Sequence, residues 1–120
     1  MAHYRHRATA DPLCWPGLAD LTAHVDFSAM ARAGAAEDMR VAGYCTQARF
    51  LINCGILDRL AASGEPTSST YLREASAVHK LLSPAEMGEL FKALALTRGI
   101  DGPLLGFREG DRSHRLFAPR

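Results

Sequence analysis

The run Leu90-Phe91-Lys92-Ala93-Leu94-Ala95-Leu96-Thr97 constrains this chain most, because it is apolar almost throughout and broken only by Lys92. Periodicity does not decide its conformation. Leu and Ala dominate it, and both favour helix. As a strand it has no polar face to offer water, which is the pattern of a strand covered on both sides. Such a strand also expects neighbours along both edges, and without them its open backbone groups are an aggregation hazard.

The second organising stretch is Ala19-Asp20-Leu21-Thr22-Ala23-His24-Val25-Asp26-Phe27, followed by the alanine-rich run from Ser28 to Asp38. Asp26 precedes Phe27, Met30 and Ala31 at helical spacing, which predicts a helix from Asp26 to about Asp38 with Asp26 as its N-cap. Val25 stands where an apolar side chain can staple the first turn. Propensity is high throughout this run except at Gly34. His24 and Asp26 would lie at the positive end of the helix dipole. They read either as a polar pair facing a ligand or a partner strand, or as a cap beside a buried or half-buried, hydrogen-bonded His. Capping chemistry already accounts for the Asp.

Fourteen Lys and Arg against thirteen Asp and Glu give no basic excess that would argue for nucleic acid or a membrane surface. At 120 residues, 48% of them hydrophobic, the chain reads as one globular domain or a piece of one. Cys14, Cys45 and Cys54 have no paired spacing, and the five histidines His3, His6, His24, His79 and His114 form no ligand motif. We therefore expect no metal site, no disulfide framework and a reducing, cytoplasmic setting. No apolar run has the length of a membrane span, and the basic Met1 to Arg7 is not followed by the apolar core of a signal peptide.

Residues 1–18 read as an irregular lead-in, with turn signals at Asp11-Pro12 and Pro16-Gly17 and with Trp15 covering a core edge. Arg40 to Cys45 reads as a strand. Thr46 then caps a helix from Gln47 to Cys54, which Gly55 stops. A short helix follows over Ile56 to Ser63. Glu65 to Thr70 is a loop, and another helix runs from about Thr70 to Leu82 on an apolar stripe that includes Tyr71, Leu72, Ala75 and Val78, with His79 beside it. Ser83-Pro84-Ala85-Glu86 carries the signals of a further brief helix. Gly99 to Pro103 is a turn. Residues 108–120 form a polar, Arg-rich tail that could steer an acidic partner but reads as a frayed end.

Several strings resemble the C-terminal part of the MidA-type methyltransferases, class I S-adenosylmethionine-dependent enzymes related to the mitochondrial complex I assembly methyltransferase. They are Asp11-Pro12-Leu13, Pro16-Gly17, Ala19 through Phe27, Thr46-Gln47 with Phe50-Leu51, Gly55-Ile56, and Pro84-Ala85-Glu86-Met87-Gly88 with Leu90-Phe91-Lys92. Their order and spacing span residues 8–107.

The resemblance implies an α/β fold in which residues 19–107 are the C-terminal part of a Rossmann-like class I methyltransferase. It implies a late helix, a strand around Arg40 to Cys45, a helical insertion over Thr46 to Leu82, and an antiparallel last strand over Phe91 to Thr97. With it, the strand reading of the apolar run is preferred. The donor-binding half, with its glycine-rich turn and ribose-holding acid, has no counterpart here, and residue 1 would fall about two-thirds of the way along a typical member. S-adenosylmethionine is thus implied for the intact family and not expected on this chain alone. The implied partners are a donor-binding half or a second copy, with a protein, arginine-type substrate in the intact family. His24, Asp26 and Gln47 are the polar residues we single out as catalytic candidates. The alternative is a non-catalytic module that pairs through an exposed sheet edge.

Overall fold

The computed structural model describes residues 2–4, 7–9, 11, 13, 17–18, 20–21 and 23–117. Cys14, Trp15, Pro12 and Pro16, all weighed above, lie outside the described residues. Three short strands, β1 (Ala2–Tyr4), β2 (Arg7–Thr9) and β3 (Asp20–Leu21), form an antiparallel sheet in the order β2-β1-β3. They fall in and just beyond the stretch read as an irregular lead-in, so that reading missed them. Within it, the turn signalled at Asp11 is present, where Leu13 N–H donates to the Asp11 carboxylate at 2.9 Å.

The main unit begins with α1 (Phe27–Ala36), capped by Asp26, whose carboxylate accepts from Ala29 N–H at 2.9 Å. Val25 is 53% exposed and does not act as a buried staple. Helix α1 ends with Asp38 in the left-handed region (φ 55°), and Met39 N–H reaches back to Gly34 O at 2.9 Å. Asp takes here the place that glycine usually fills. β4 (Arg40–Thr46) runs directly into α2 (Gln47–Asn53), with Thr46 as the cap. Gly55, at φ 83°, turns the chain into α3 (Ile56–Ala61). The loop then leads to α4 (Ser69–Leu82), whose cap is Ser68. Leu72 and His79 on α4 are exposed and so stand off the packed face.

Among the described residues no α-helix follows Ser83. That residue ends α4, and residues 84–90 are hydrogen-bonded turns, with Glu86 and Gly88 N–H both donating to Ser83 O. Gly88 is buried there, and a side chain on it would meet Leu82 O at 2.1 Å. Close backbone packing, not helix continuation, explains this glycine. The apolar run is a strand, β5 (Lys92–Thr97), antiparallel to β4 from Thr46↔Lys92 to Arg40↔Thr97 with a bulge between Val41 and Gly43.

Strand pairing places Tyr44 opposite Leu94 and Cys45 opposite Ala93, so alternate residues face opposite sides. On one side Leu96 abuts Gly34 of α1, and Tyr44 stacks obliquely on Phe27 with centroids 5.3 Å apart. On the other, Phe107 fills the space beside Gly43, and Cys45 Sγ donates to Gly106 O at 3.7 Å. The β4-β5 pair is thus layered between α1 and the group formed by α2 and the 3₁₀ turn Leu105–Phe107. Asn53 Nδ2 holds that turn by donating to Gly106 O and Glu109 O.

The tail is not frayed over its described length. Asp111 accepts from Tyr44 N–H at 2.8 Å, and Arg112 N–H donates to Tyr44 O at 2.7 Å. A second 3₁₀ turn, Ser113–Leu116, then buries Leu116 (3% exposed) in contact with α1 and β4. The tail therefore crosses the outer edge of β4, from the Phe107 side of the sheet to the α1 side.

Candidate functional site

The entry to α1, the middle of β4, the start of β5 and the docked tail meet around an open cleft of about 440 Å³. His24, Asp26 and Ser28 line it from the helix entry, Tyr44 and Phe27 give it an aromatic wall, and Lys92, Arg112 and Arg115 bring three cations. Helix capping fixes Asp26, and the exposed His24 projects from the extended residues just before it. His24 is therefore not the buried, hydrogen-bonded residue of one reading. Lys92 is oriented by its ammonium group, which donates to Glu89 O and Leu90 O. Arg112 leans on Glu89 at 3.4 Å.

Of the three candidates from sequence, His24 and Asp26 are brought together, and Gln47 is not among the lining residues. Gln47 Nε2 donates to Leu81 O at 3.0 Å and ties the start of α2 to the end of α4. Sequence reasoning missed Tyr44, Lys92, Arg112 and Arg115. Only Lys92 left a local signal, as the one charge in the apolar run.

Asp111 sets the position of Arg112 and Arg115. Burial pushes its carboxyl up, but hydrogen bonds from the Ser113 hydroxyl and the Tyr44 and Ser113 amides, with His114 nearby, outweigh this and hold it below its ordinary value. Cys45 behind the sheet is pushed up, first by burial and then by the charge of Asp111. With three cations against Asp26, the cleft can attract and orient an anionic group. His24 adds an imidazole whose ring nitrogens can donate or accept a hydrogen bond. Among the described residues no cluster of His, Cys, Asp and Glu could hold a metal ion, and no helix is long and apolar enough to cross a membrane.

A methyl donor would need a glycine turn between a strand and a helix, so that backbone can approach it closely. β4 enters α2 through Thr46 without a glycine, and β5 leads through Gly99 and Gly102 into a 3₁₀ turn. The glycines that permit close approach within the main unit are filled from inside, Gly43 by Phe107, Gly106 by Phe50 and Gly34 by Leu96. Among the described residues no strand enters an α-helix through glycine.

Comparison with known proteins finds methyltransferases. Residues 1–45 match the family described as "Putative S-adenosyl-L-methionine-dependent methyltransferase". The chain is 40% identical over 88 residues to the protein arginine methyltransferase NDUFAF7, mitochondrial, of Bos taurus, and 41% identical over 88 residues to that of Danio rerio. These matches cover 72% and 68% of this chain but only 20% and 19% of the relatives. A superfamily member from Burkholderia thailandensis, crystallised with S-adenosyl-homocysteine, is 55% identical and superposes with a TM-score of 0.81 over 96% of this chain and 30% of its own. A native structure of an uncharacterized protein of the same superfamily and organism matches equally, over 31% of its length. The chain thus spans about a fifth of the curated relatives and under a third of the structural ones, and it belongs to the MidA-type family of S-adenosylmethionine-dependent methyltransferases.

Proposed function

We propose that this chain is the C-terminal, acceptor-side part of a S-adenosylmethionine-dependent protein methyltransferase, acting with a donor-binding portion outside its span. The observation that carries the reading is the unequal coverage of the S-adenosyl-homocysteine-bound relative, 96% of this chain against 30% of that one. The glycine packing described above agrees with a donor site that lies elsewhere. In this reading residues 19–107 are the C-terminal segment of a Rossmann-like domain, and the substrate is a protein arginine, as the printed names of the curated relatives suggest. The setting is cytoplasmic. His24 and Asp26 remain the candidate residues, the three cations beside them suiting an acidic segment that flanks the arginine and not the guanidinium itself, and Gln47 becomes a packing residue. No methyl-transfer step is assigned to them.

The test is calorimetry with S-adenosyl-homocysteine, on the full chain alone and on the chain co-expressed with the donor-binding portion of the Burkholderia thailandensis relative. The chain alone should give no heat of binding, and the complex should bind and methylate an arginine-containing protein substrate. Stoichiometric binding by the chain alone, or full activity of the donor portion without it, would refute the reading. The exposed outer edge of β5 favours one alternative, a non-catalytic pairing module. That module would form the complex, yet methylation would be indifferent to His24→Ala and Asp26→Asn.

A further inference from the structure

The cleft carries a charge imbalance that the fold itself does not use. Lys92, Arg112 and Arg115 line it, and Asp26 is the acid among the lining residues. That carboxylate is engaged at the helix entry, where it accepts from Ala29 N–H. Glu89 meets Arg112 at 3.4 Å from outside the lining. Asp111, next to Arg112 in the chain, is turned to the Tyr44 amide and the Ser113 hydroxyl. Among the described residues the Arg115 guanidinium has no hydrogen-bond or ion-pair partner. Like charges gathered this way repel one another, and an anion placed among them relieves that repulsion.

Geometry aims two of these cations together. Arg115 N–H donates to Arg112 O at 2.9 Å, the three-residue bond of a 3₁₀ turn. Residues three apart in such a turn lie on the same side, and both of these line the cleft. Buried Leu116 and the two backbone bonds to Tyr44 hold the turn in place. Paired guanidinium groups on a fixed turn suit a carboxylate, whose two oxygens accept parallel N–H donors. The cleft, at about 440 Å³, lies low in the range of roughly 300–1,000 Å³ for ligand pockets. It has room for a few residues of an extended peptide, with Phe27 and Tyr44 as an apolar wall beside them. Fourteen basic against thirteen acidic residues make the positive charge local, which disfavours the long phosphate backbone of a nucleic acid.

We propose that Arg112, Arg115 and Lys92 are specificity-determining residues, which read an acidic residue close in sequence to the target arginine of a protein substrate. This rests on the functional reading above, from which the protein substrate is taken. Arg112 and Arg115 grip the carboxylate, and Lys92 adds longer-range attraction. The target arginine, repelled by the same charges, stays outside the cleft. Recognition needs the docked tail, so Asp111 is a positioning residue.

Fluorescence anisotropy tests this with two labelled peptides, one with an arginine flanked by glutamates and one with the same arginine flanked by glutamines. Both are titrated with the full chain, free and co-expressed with the donor-binding portion of the Burkholderia thailandensis relative. The glutamate peptide should bind at least about tenfold tighter at low salt, and the preference should shrink to about twofold at about 0.5 M salt. Arg115→Gln should remove at least about threefold of it, and Arg112→Gln with Arg115→Gln nearly all. Arg115→Lys should restore part, and Arg59→Gln on α3, outside the cleft, should change nothing. Asp111→Ala should weaken the preference through the tail. In the complex Arg115→Gln should raise KM for the glutamate peptide toward that for the glutamine peptide, the mark of a contact made equally in ground and transition state. If the double variant unfolds, Arg115→Gln and the salt dependence decide. Equal binding of the two peptides, or a preference that survives both substitutions, overturns the proposal, and the functional reading stands if the complex methylates both. Tighter binding of a single-stranded oligonucleotide overturns it in favour of nucleic acid. A wild-type complex that methylates neither peptide overturns the functional reading, and the proposed substrate with it.

Discussion

Replacing Gly43 with Ala should destabilise the chain through Phe107. A Cβ at Gly43 would lie 2.2 Å from Phe107 Cγ, 2.4 Å from Cδ1 and 2.5 Å from Cβ, where ordinary contact starts at 3.4 Å. The root of the side chain is struck as well as its ring, so a rotamer change does not clear it. Retreat is hindered too, because Phe107 packs edge-on against Phe50 at 5.4 Å and Phe50 already fills the space beside Gly106. Overpacking of this kind costs about 1–3 kcal/mol. Displacing the 3₁₀ turn instead would strain the bonds of Gly106 O to Cys45 and Asn53, at about 1 kcal/mol each. Against this, Ala in place of Gly in a strand gains about 0.5–1 kcal/mol. The net expectation is a loss of about 2 kcal/mol, or roughly 8 °C in Tm for a chain of this size. Urea unfolding followed by circular dichroism measures it, provided the m-value is unchanged. Phe107→Ala in the same background should recover part of the loss, with a coupling energy of about 1 kcal/mol or more. A Gly43→Ala loss below about 0.5 kcal/mol, or strict additivity with Phe107→Ala, would refute the packing argument.

Asp111→Ala should release the tail at a cost of about 1 kcal/mol, below the usual range for a charged acceptor because the carboxylate is exposed. The folded carboxyl sits below its ordinary 3.8. Its contribution is therefore complete above that value and is lost as pH falls through the lowered one, so the variant should lose least relative to wild type below about pH 4. Of the free thiols, exposed Cys54 should alkylate at pH 8 at least about tenfold faster than buried Cys45, whose ionisation is pushed up; peptide mapping by mass spectrometry reads the ratio. Asp38→Gly should stabilise by about 0.5–1 kcal/mol in thermal unfolding, because glycine relieves the left-handed backbone that ends α1.

Elements with local physical causes were legible in the sequence. Asp26 and Thr46 cap because a side-chain oxygen reaches an amide three residues on, and Gly55 stops α2 because only glycine takes φ 83° without strain. The apolar run was ambiguous by propensity, since Leu and Ala favour helix, and burial on two faces against Gly34 and the Phe107 turn decided for a strand. Ser83-Pro84 misled because Gly88 must press against the Leu82 carbonyl, which a helix would not allow. The tail was invisible for another reason. It is held through the backbone of Tyr44, and such bonds leave no periodicity in the residues that make them. The cleft shares that obscurity, since its cations come from residues 92, 112 and 115 and meet His24 only through tertiary packing.

The tail therefore does two jobs with one contact. The bond from Tyr44 N–H to Asp111 closes the β4 edge, and it also sets Arg112 and Arg115 beside His24 and Asp26. An edge that is closed by backbone pairing cannot slip without moving the cations that follow it by one and four residues. The shape of the cleft and the closure of the β4 edge are consequently coupled through Asp111. Loosening Asp111 should disturb the cleft before it threatens the fold, because the tail is anchored by few bonds and the β4-β5 ladder by many.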